Sequence, residues 1–249
     1  IGHNMEFEQI KNYVNGDDYR KVNWKATARK GELMINQFQD ERSQPVYSVI
    51  DKGRLMQMPF DGLSLLDYSI NASLVISNLA LKKGDKAGII TFQHKLNAIL
   101  PASDRDMQLH LILEHLYKQK TAFKESNFGA LYAGIKRKIS QRSLMLLYTN
   151  FESMSGLERQ LPHLRQISKY HLLVCILFKN VEIASTLEKP AENLEHVYTK
   201  GIAEQMLYEK RLIAKTLRAH GIYCIVTSPQ KLSVNTINQY LELKARGLI

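Results

Sequence analysis

Apolar positions along the chain alternate between two spacings. In short runs such as 45–50 and 172–178 nearly every residue is apolar, as in strands that are buried on both faces of a sheet. Between these runs apolar residues recur every three or four positions, as in helices that cover a sheet with one face. The alternation predicts a three-layer α/β fold with a mostly parallel central sheet. The predicted strands are 45–51, 87–92, 96–100, 143–149, 172–178 and 222–226, and the predicted helices are 66–81, 109–117, one that starts near 127, 157–168, 202–218 and 234–244.

One connection between strands is too short for a crossover. Only Gln93, His94 and Lys95 separate the runs 87–92 and 96–100. Parallel neighbours need a long connection, so this short one predicts an antiparallel hairpin that adds one antiparallel strand to the sheet. We expect residues 45–249 to form a single α/β domain around it.

Residues 1–44 form an N-terminal extension that precedes the strand and helix pattern. Asp17 or Asp18 is a candidate N-cap for short helical turns within 19–29. Apolar side chains are spread through the extension, and we therefore expect it to pack on the core instead of remaining free. The apolar residues available for this packing are Phe7, Ile10, Tyr13, Val22 and Trp24.

Hydropathy and cysteine usage favour a globular domain in a reducing compartment. The longest apolar run, 172–178, is much shorter than the roughly 20 residues that span a bilayer, and no signal-peptide pattern opens the chain. Cys175 and Cys224 lie inside apolar runs without C-x-x-C spacing, as reduced core thiols do. Because the first residue is Ile1 and not Met, we expect the sequence to be a fragment of a longer protein.

The chain is basic, with 34 Lys and Arg against 24 Asp and Glu and a net charge of +10. Such an excess is compatible with nucleic-acid or anionic-lipid binding. It is spread along the chain, however, and its densest stretch shows neither a regular pattern of basic residues interleaved with stacking aromatics nor zinc-finger spacing, which favours a solvated face over a nucleic-acid site. We call this stretch the basic segment; its cations are Lys118, Lys120, Lys124, Lys136, Arg137, Lys138 and Arg142.

Sequence motifs that are typical of common catalytic sites are absent. There is no G-x-G-x-x-G, G-x-x-x-x-G-K-[ST], H-E-x-x-H or G-x-S-x-G, so the residues that anchor dinucleotide, P-loop, zincin and serine-hydrolase sites are missing. The segment that comes nearest to a zinc-binding motif contains His110 and Glu114. We interpret these two residues as an exposed i,i+4 pair on an amphipathic helix. We therefore predict a binding module and not an enzyme.

Two features resemble known families. The order strand, Asp-containing loop, long helix, hairpin, two helices and strand looks like a von Willebrand factor A domain, whose metal-ion-dependent adhesion site (MIDAS) opens with D-x-S-x-S. The N-terminal E-F, G-D-D-x-R, W, A-R and E-R, followed by a strand ending in Asp, are similar to the signature of the bacterial DUF58 family. We call these residues the family-signature residues; they are Glu6, Asp17, Asp18, Arg20, Trp24, Arg29, Glu41 and Arg42.

The resemblance implies a degenerate metal site. Asp51 keeps the first carboxylate, but Gly53 and Leu55 occupy the two serine positions and Asn150 stands where a second Asp is expected. Ser126 or Asn127 would replace the threonine ligand. One carboxylate with neutral partners neutralises a dication poorly, so we expect no metal or cofactor, and Mg²⁺ is not favoured. The alternative role of Asp51 is to accept hydrogen bonds from nearby backbone amides at the strand end.

We expect the family-signature residues to form ion pairs and hydrogen bonds that fix the extension to the core. Asn23 stands where the DUF58 family often has Asp. An acid/base pair at that position would lack a partner, which argues against a catalytic role for these residues.

The resemblance implies an adaptor for a MoxR-type AAA+ ATPase, since members of the family are often encoded beside one. Such an adaptor would assist the assembly or maturation of a client protein, at the cytoplasmic face of the inner membrane, anchored by an upstream segment, or in the cytoplasm. A basic module that binds nucleic acid or acidic lipid through the basic segment is the alternative. Without a metal, we expect the partner to contact side chains at the same edge of the sheet. The candidates are Lys52, Arg54, Met56 and Met58, and the alternative for the two methionines is that they pack under the loop.

Overall fold

A computed structural model of the protein describes residues 5–40, 43–117, 119–121, 124–179 and 194–249. The chain divides into two compact units, Ile1–Ser43 and Gln44–Ile249. The packing of the extension on the core stays a prediction.

The first unit contains an antiparallel pair of strands that the sequence analysis missed. Strand β1 (Met5–Asn12) pairs with β2 (Met34–Asp40), and Val22, Met34 and Ile35 are buried in this unit. Between the strands lie a 3₁₀ turn (Tyr19–Lys21) and helix α1 (Trp24–Lys30), which confirms the predicted helical turns. The apolar pattern did not predict these strands because few of their residues are apolar.

The second unit is built around one six-stranded sheet. Its strands are β3 (Pro45–Asp51), β6 (Lys86–Phe92), β7 (Leu96–Ser103), β8 (Leu144–Tyr148), β9 (Leu172–Phe178) and β10 (Tyr223–Thr227), and a separate small hairpin comprises β4 (Pro59–Phe60) and β5 (Leu63–Ser64). The strand order is β10-β9-β8-β3-β6-β7. All neighbours are parallel except β6 and β7, which confirms the predicted fold class and the antiparallel hairpin.

Helices cover both faces of this sheet. They are α2 (Leu65–Lys82), α3 (Gln108–Tyr117), α4 (Phe128–Lys138), α5 (Met154–Tyr170), α6 (Leu194–Ala219) and α7 (Leu232–Ala245). Helices α2, α3 and α7 contribute to one buried cluster, and α4, α5 and α6 contribute to the other. Within the described parts of the chain, no helix is both long and apolar enough to cross a membrane.

Strand β8 shows why its sequence is apolar throughout. Leu146 and Tyr148 belong to the cluster under α2, whereas Met145 and Leu147 belong to the cluster under α4 and α5. Successive side chains of a strand point to opposite faces, and both faces of this sheet are covered. Because β3 and β8 are parallel neighbours, their carboxyl ends meet at the same edge, where loop residues come together.

Two neighbouring positions on α2 test which face of this helix covers the sheet. Ile76 is 1% exposed and Val75 is 43% exposed. We expect Ile76→Ala to lower the free energy of unfolding by about 2–5 kcal/mol, because it leaves a cavity in the core. Val75→Ala should change it by less than about 0.5 kcal/mol. Urea unfolding measures both, and equal losses would contradict this orientation of α2.

Candidate functional site

The candidate site lies at the carboxyl edge of the six-stranded sheet. Asp51 is the last residue of β3, and Thr149 and Asn150 follow β8 directly. Ser126 comes from the segment before α4. The paired ends of β3 and β8 bring these three segments together, as expected for an open α/β sheet.

The carboxylate of Asp51 is buried and satisfied by three donors from the protein. Oδ1 accepts the backbone N–H of Gly53 at 2.8 Å and also the hydroxyl of Ser126, and Oδ2 accepts the hydroxyl of Thr149 at 2.6 Å. Burial raises the pKa of Asp51 above its usual value, although the three hydrogen bonds act in the opposite direction. Asp51 therefore joins the ends of β3 and β8 to the segment before α4.

Gly53 leaves room for the hydroxyl of Ser126. A Cβ atom added at residue 53 would lie 2.0 Å from the Oγ of Ser126 and 3.1 Å from Oδ1 of Asp51. The φ angle of Gly53 is −72°, which any residue adopts, so glycine is required here for space and not for backbone conformation. The hydroxyl that completes the hydrogen bonding of Asp51 thus occupies the space that a side chain at residue 53 would need.

A lysine from α6 reaches the same edge. The Nζ of Lys210 donates to Oδ1 of Asn150 and, at 2.8 Å, to the backbone carbonyl of Phe151. Burial lowers the pKa of Lys210 to about 8. Sequence reasoning missed Lys210, because a lysine 60 positions from Asn150 in a polar helix gives no local signal. Thr149 was also missed, although it is the last residue of the predicted strand 143–149 and directly follows β8 in the structure.

Two cavities open at this edge, on either side of Asn150. The first has a volume of about 110 Å³ and is lined by Asp51, Arg54, Leu55, Ser126 and Asn150, among others. The second has a volume of about 300 Å³ and a mainly apolar lining. We call it the apolar cavity; its walls include Met58, Phe60, Leu65, Phe178 and Met206, and Lys210 lines it as well.

The residues at the adhesion-site positions do not fit a divalent cation. Both oxygens of Asp51 already accept hydrogen bonds, and Gly53 and Leu55 supply no side-chain oxygen. The Oδ1 atom of Asn150 accepts from the ammonium of Lys210, which would repel a metal ion. The Oδ1 atom of Asn127 caps α4 by accepting the backbone N–H of Ala130 at 2.9 Å. Within the described residues, no group of three or more His, Cys, Asp or Glu side chains is placed to hold a metal.

The structure corrects two of the four candidate partner-binding residues. Met56 is fully buried in the cluster that contains Ile50 and Leu65, so it cannot contact a partner. Lys52 is also buried, and this burial lowers the pKa of its ammonium. The burial of Met56 agrees with the alternative that it packs under the loop, whereas Lys52 was expected to be available to a partner. Arg54 and Met58 are exposed.

Two of the described family-signature residues, Asp17 and Asp18, make local contacts within the first unit. Asp17 pairs with Lys11 at 3.1 Å, and Asp18 caps the 3₁₀ turn by accepting the N–H of Arg20. These two carboxylates order their own turn, which is a local role. Trp24, expected to be a packing residue, is 69% exposed. The Arg20 and Arg29 side chains are exposed, Glu6 lies on β1, and Glu41 and Arg42 lie outside the described residues.

Asn23 has a structural role that an amide fulfils well. Its Oδ1 accepts the N–H of Ala26 at 3.0 Å and caps α1, while its Nδ2 donates to Oδ1 of Asn36 at 2.8 Å. A carboxylate could cap the helix, but it could not donate to Asn36. Asn23 therefore connects α1 to β2.

Three exposed cations of the basic segment lie next to each other at the end of α4. Lys136, Arg137 and Lys138 form its last turn, where positive charge is favourable. His110 and Glu114 are both exposed on α3, as the sequence predicts. Lys118 lies outside the described residues.

Comparisons with known proteins identify a family and a relative of this chain. A family model described as "Protein of unknown function DUF58" matches residues 9–184. The uncharacterized protein YeaD from Bacillus subtilis (strain 168) is 29% identical over 114 residues, which are 46% of this chain. The match spans 26% of that relative's length.

Solved structures similar to this chain include von Willebrand A domains. The SpRpn10 VWA domain has a TM-score of 0.45 at 12% identity, and the match covers 80% of this chain and 95% of that one. The conserved hypothetical protein BatB from Bacteroides thetaiotaomicron has a TM-score of 0.48 at 11% identity, with 82% and 99% covered.

The space shared by Gly53 and Ser126 can be tested with a double-mutant cycle. We expect Gly53→Ala to lower the free energy of unfolding by about 1–3 kcal/mol, because the new Cβ forces the Ser126 hydroxyl away from a buried carboxylate. In a Ser126→Ala background the same substitution should cost less than about 1 kcal/mol. Urea unfolding of the four proteins gives the coupling, and additive effects would contradict the shared-space explanation.

Metal binding is tested by calorimetry. We expect no saturable heat when Mg²⁺ or Mn²⁺ is titrated to millimolar concentration, because the ligand oxygens are either missing or engaged. The Asp51→Ala variant is the control. Saturable heat in the unaltered chain that disappears in this variant would show that a cation displaces the hydrogen bonds of Asp51.

Proposed function

The chain belongs to the DUF58 family, and we propose that it is a non-enzymatic protein-interaction module that binds its partner at the carboxyl edge of the six-stranded sheet. One observation carries this proposal. The carboxylate at this edge is fully engaged by the protein's own donors, while an exposed cation, Arg54, and an apolar cavity open beside it.

The arrangement around Asp51 favours binding over catalysis. A general base must reach a substrate proton, but Asp51 is 2% exposed and already accepts the hydroxyls of Ser126 and Thr149. Those hydroxyls donate to a carboxylate that holds them in place. The three groups therefore stabilise the edge of the sheet, and recognition falls to the side chains around it.

The proposed partner is a MoxR-type AAA+ ATPase, for which the chain acts as an adaptor towards a client protein. This partner follows from the resemblance to the DUF58 family, whose members are often encoded beside such an ATPase. The exposed Arg54 guanidinium suits a carboxylate on a partner, and the exposed thioether of Met58 suits an adjoining apolar patch. The proposed location is the cytoplasmic face of the inner membrane or the cytoplasm.

One observation supports a second candidate function. Lys136, Arg137 and Lys138 are consecutive exposed cations at the end of α4, and such a cluster attracts nucleic acid or acidic lipid. Binding through this cluster would weaken steeply with added salt and would not depend on Arg54.

Charge reversal at two exposed arginines separates these functions. We expect Arg54→Glu to weaken binding to the ATPase from the native host by about 1–2 kcal/mol, because it replaces an attraction with a repulsion. The matched control Arg137→Glu should leave this binding unchanged, and neither variant should alter the melting temperature. Biolayer interferometry at several salt concentrations provides the measurement. Loss of binding only in Arg137→Glu, with a steep salt dependence, would favour the anion-binding module instead.

A further inference from the structure

Resting on the proposed function, we infer that the apolar cavity receives the C-terminal residue of a partner protein, whose terminal carboxylate binds the ammonium of Lys210. This names the segment of the partner that the edge recognises. The inference stands on the shape of the cavity, on the hydrogen bonding of Lys210 and on an exposed apolar stripe that leads away from the cavity.

The size and lining of the cavity suit the end of a chain. Its volume of about 300 Å³ lies at the lower end of the roughly 300–1,000 Å³ found for ligand pockets. That is room for a terminal residue and not for a helix. Phe60, Phe178 and Met206 supply aromatic and thioether surface, to which a large apolar side chain can adapt.

Lys210 places a positive charge in this lining. Its Nζ donates to two neutral oxygens, those of Asn150 and Phe151, and among the described residues no carboxylate lies within ion-pair distance of it. Desolvation of this partly buried ammonium lowers its pKa, and the more distant charge of Glu152 offsets only part of that effect. An incoming carboxylate would accept the remaining N–H and compensate the charge.

The charges at the rim also favour an anion. Lys179, directly after β9, is exposed and lines the cavity, and Glu152 is the acidic residue among the lining side chains. Among the described lining residues, Lys179 and Lys210 are thus two cations against one carboxylate. The rim is therefore complementary to a terminal carboxylate.

An exposed apolar stripe on α6 begins at the cavity wall. Met206, Ile202 and Tyr198 follow each other at four-residue spacing and are 43%, 61% and 69% exposed. Residues four apart lie on one face of a helix, so the stripe continues one and two turns beyond Met206. It offers a surface for the residues that precede the C-terminus, which a small carboxylic acid would not use. This favours a peptide as the occupant.

Two peptides of identical sequence test the inference. Both end in Phe and carry a fluorophore at the N-terminus, and one has a free carboxylate while the other is amidated. We expect the acid to bind the full chain at least about tenfold more tightly than the amide in fluorescence anisotropy, since only the acid pairs with Lys210. Lys210→Met keeps the aliphatic stem and should abolish the preference. Lys179→Met is the matched control and should retain most of it.

The pH dependence of the preference for the acid peptide is a second measurement. A purely structural role of Lys210 would not produce it. Lys210 must be charged to bind the carboxylate, so the preference for the acid should be full well below pH 8 and should disappear as pH rises through about 8, the pKa of Lys210. Among the described residues, the titratable groups near Lys210 are Glu152 and Cys224, and Lys179 lines the same cavity. Burial raises the pKa of the Cys224 thiol to about 11, so this group stays neutral over the range.

A second pair of variants keeps the test open if Lys210→Met fails to fold. Met206→Glu places a negative charge at the exposed cavity wall and should weaken the acid more than the amide, whereas the isosteric Met206→Gln should affect both alike. Equal affinities of the two peptides in the unaltered chain would overturn the inference. So would binding of a small apolar acid such as octanoate with no binding of either peptide. If either result accompanied an ATPase complex that still depends on Arg54, the inference would fail while the proposed function remained.

Discussion

The architecture of the carboxyl edge depends on the burial of one carboxylate. A carboxylate removed from water must find donors within the protein, and Asp51 takes them from three separate segments: the turn after β3, the residue after β8 and the segment before α4. The result is that positions far apart in the chain are held in one arrangement. The absent side chain of Gly53 and the inward hydroxyl of Ser126 both follow from this requirement, and the side chains that remain exposed are arranged around it.

The positive charge at this edge belongs to the chain itself. The ammonium of Lys210 bonds to Asn150, which occupies one of the positions of the degenerate metal site. A covalently attached charge cannot dissociate into solution as an ion does. Recognition at this edge would then respond to the protonation of an amine and to the partner's charge, not to the supply of a metal.

The amino-acid pattern was sufficient for most of the second unit because its signals are local. Each strand of the sheet apart from β7 is a short apolar run, and capping residues such as Ser64 and Asn127 mark helix starts beside the predicted positions. The pattern was insufficient where the cause is not local. Strands β1 and β2 are stabilised by pairing with each other, Lys210 reaches Asn150 only through the fold, and the burial of Met56 depends on how a short turn packs. The D-x-S-x-S comparison singled out Asp51. It gave no indication that the hydroxyl of Ser126, from another segment, occupies the space beside Gly53.

The close approach of Ser126 to Gly53 restricts the order in which this edge can change during evolution. Serine at residue 53, the first step towards an adhesion-type loop, would place its Cβ 2.0 Å from the Ser126 hydroxyl. Loss of the Ser126 hydroxyl first would instead remove a donor from the buried carboxylate. Each single step is unfavourable alone, so the two positions are epistatic, and the present arrangement is protected by a barrier that neither substitution crosses by itself. Relatives that carry serine at the equivalent of residue 53 are accordingly expected to carry a smaller or displaced residue at the equivalent of 126.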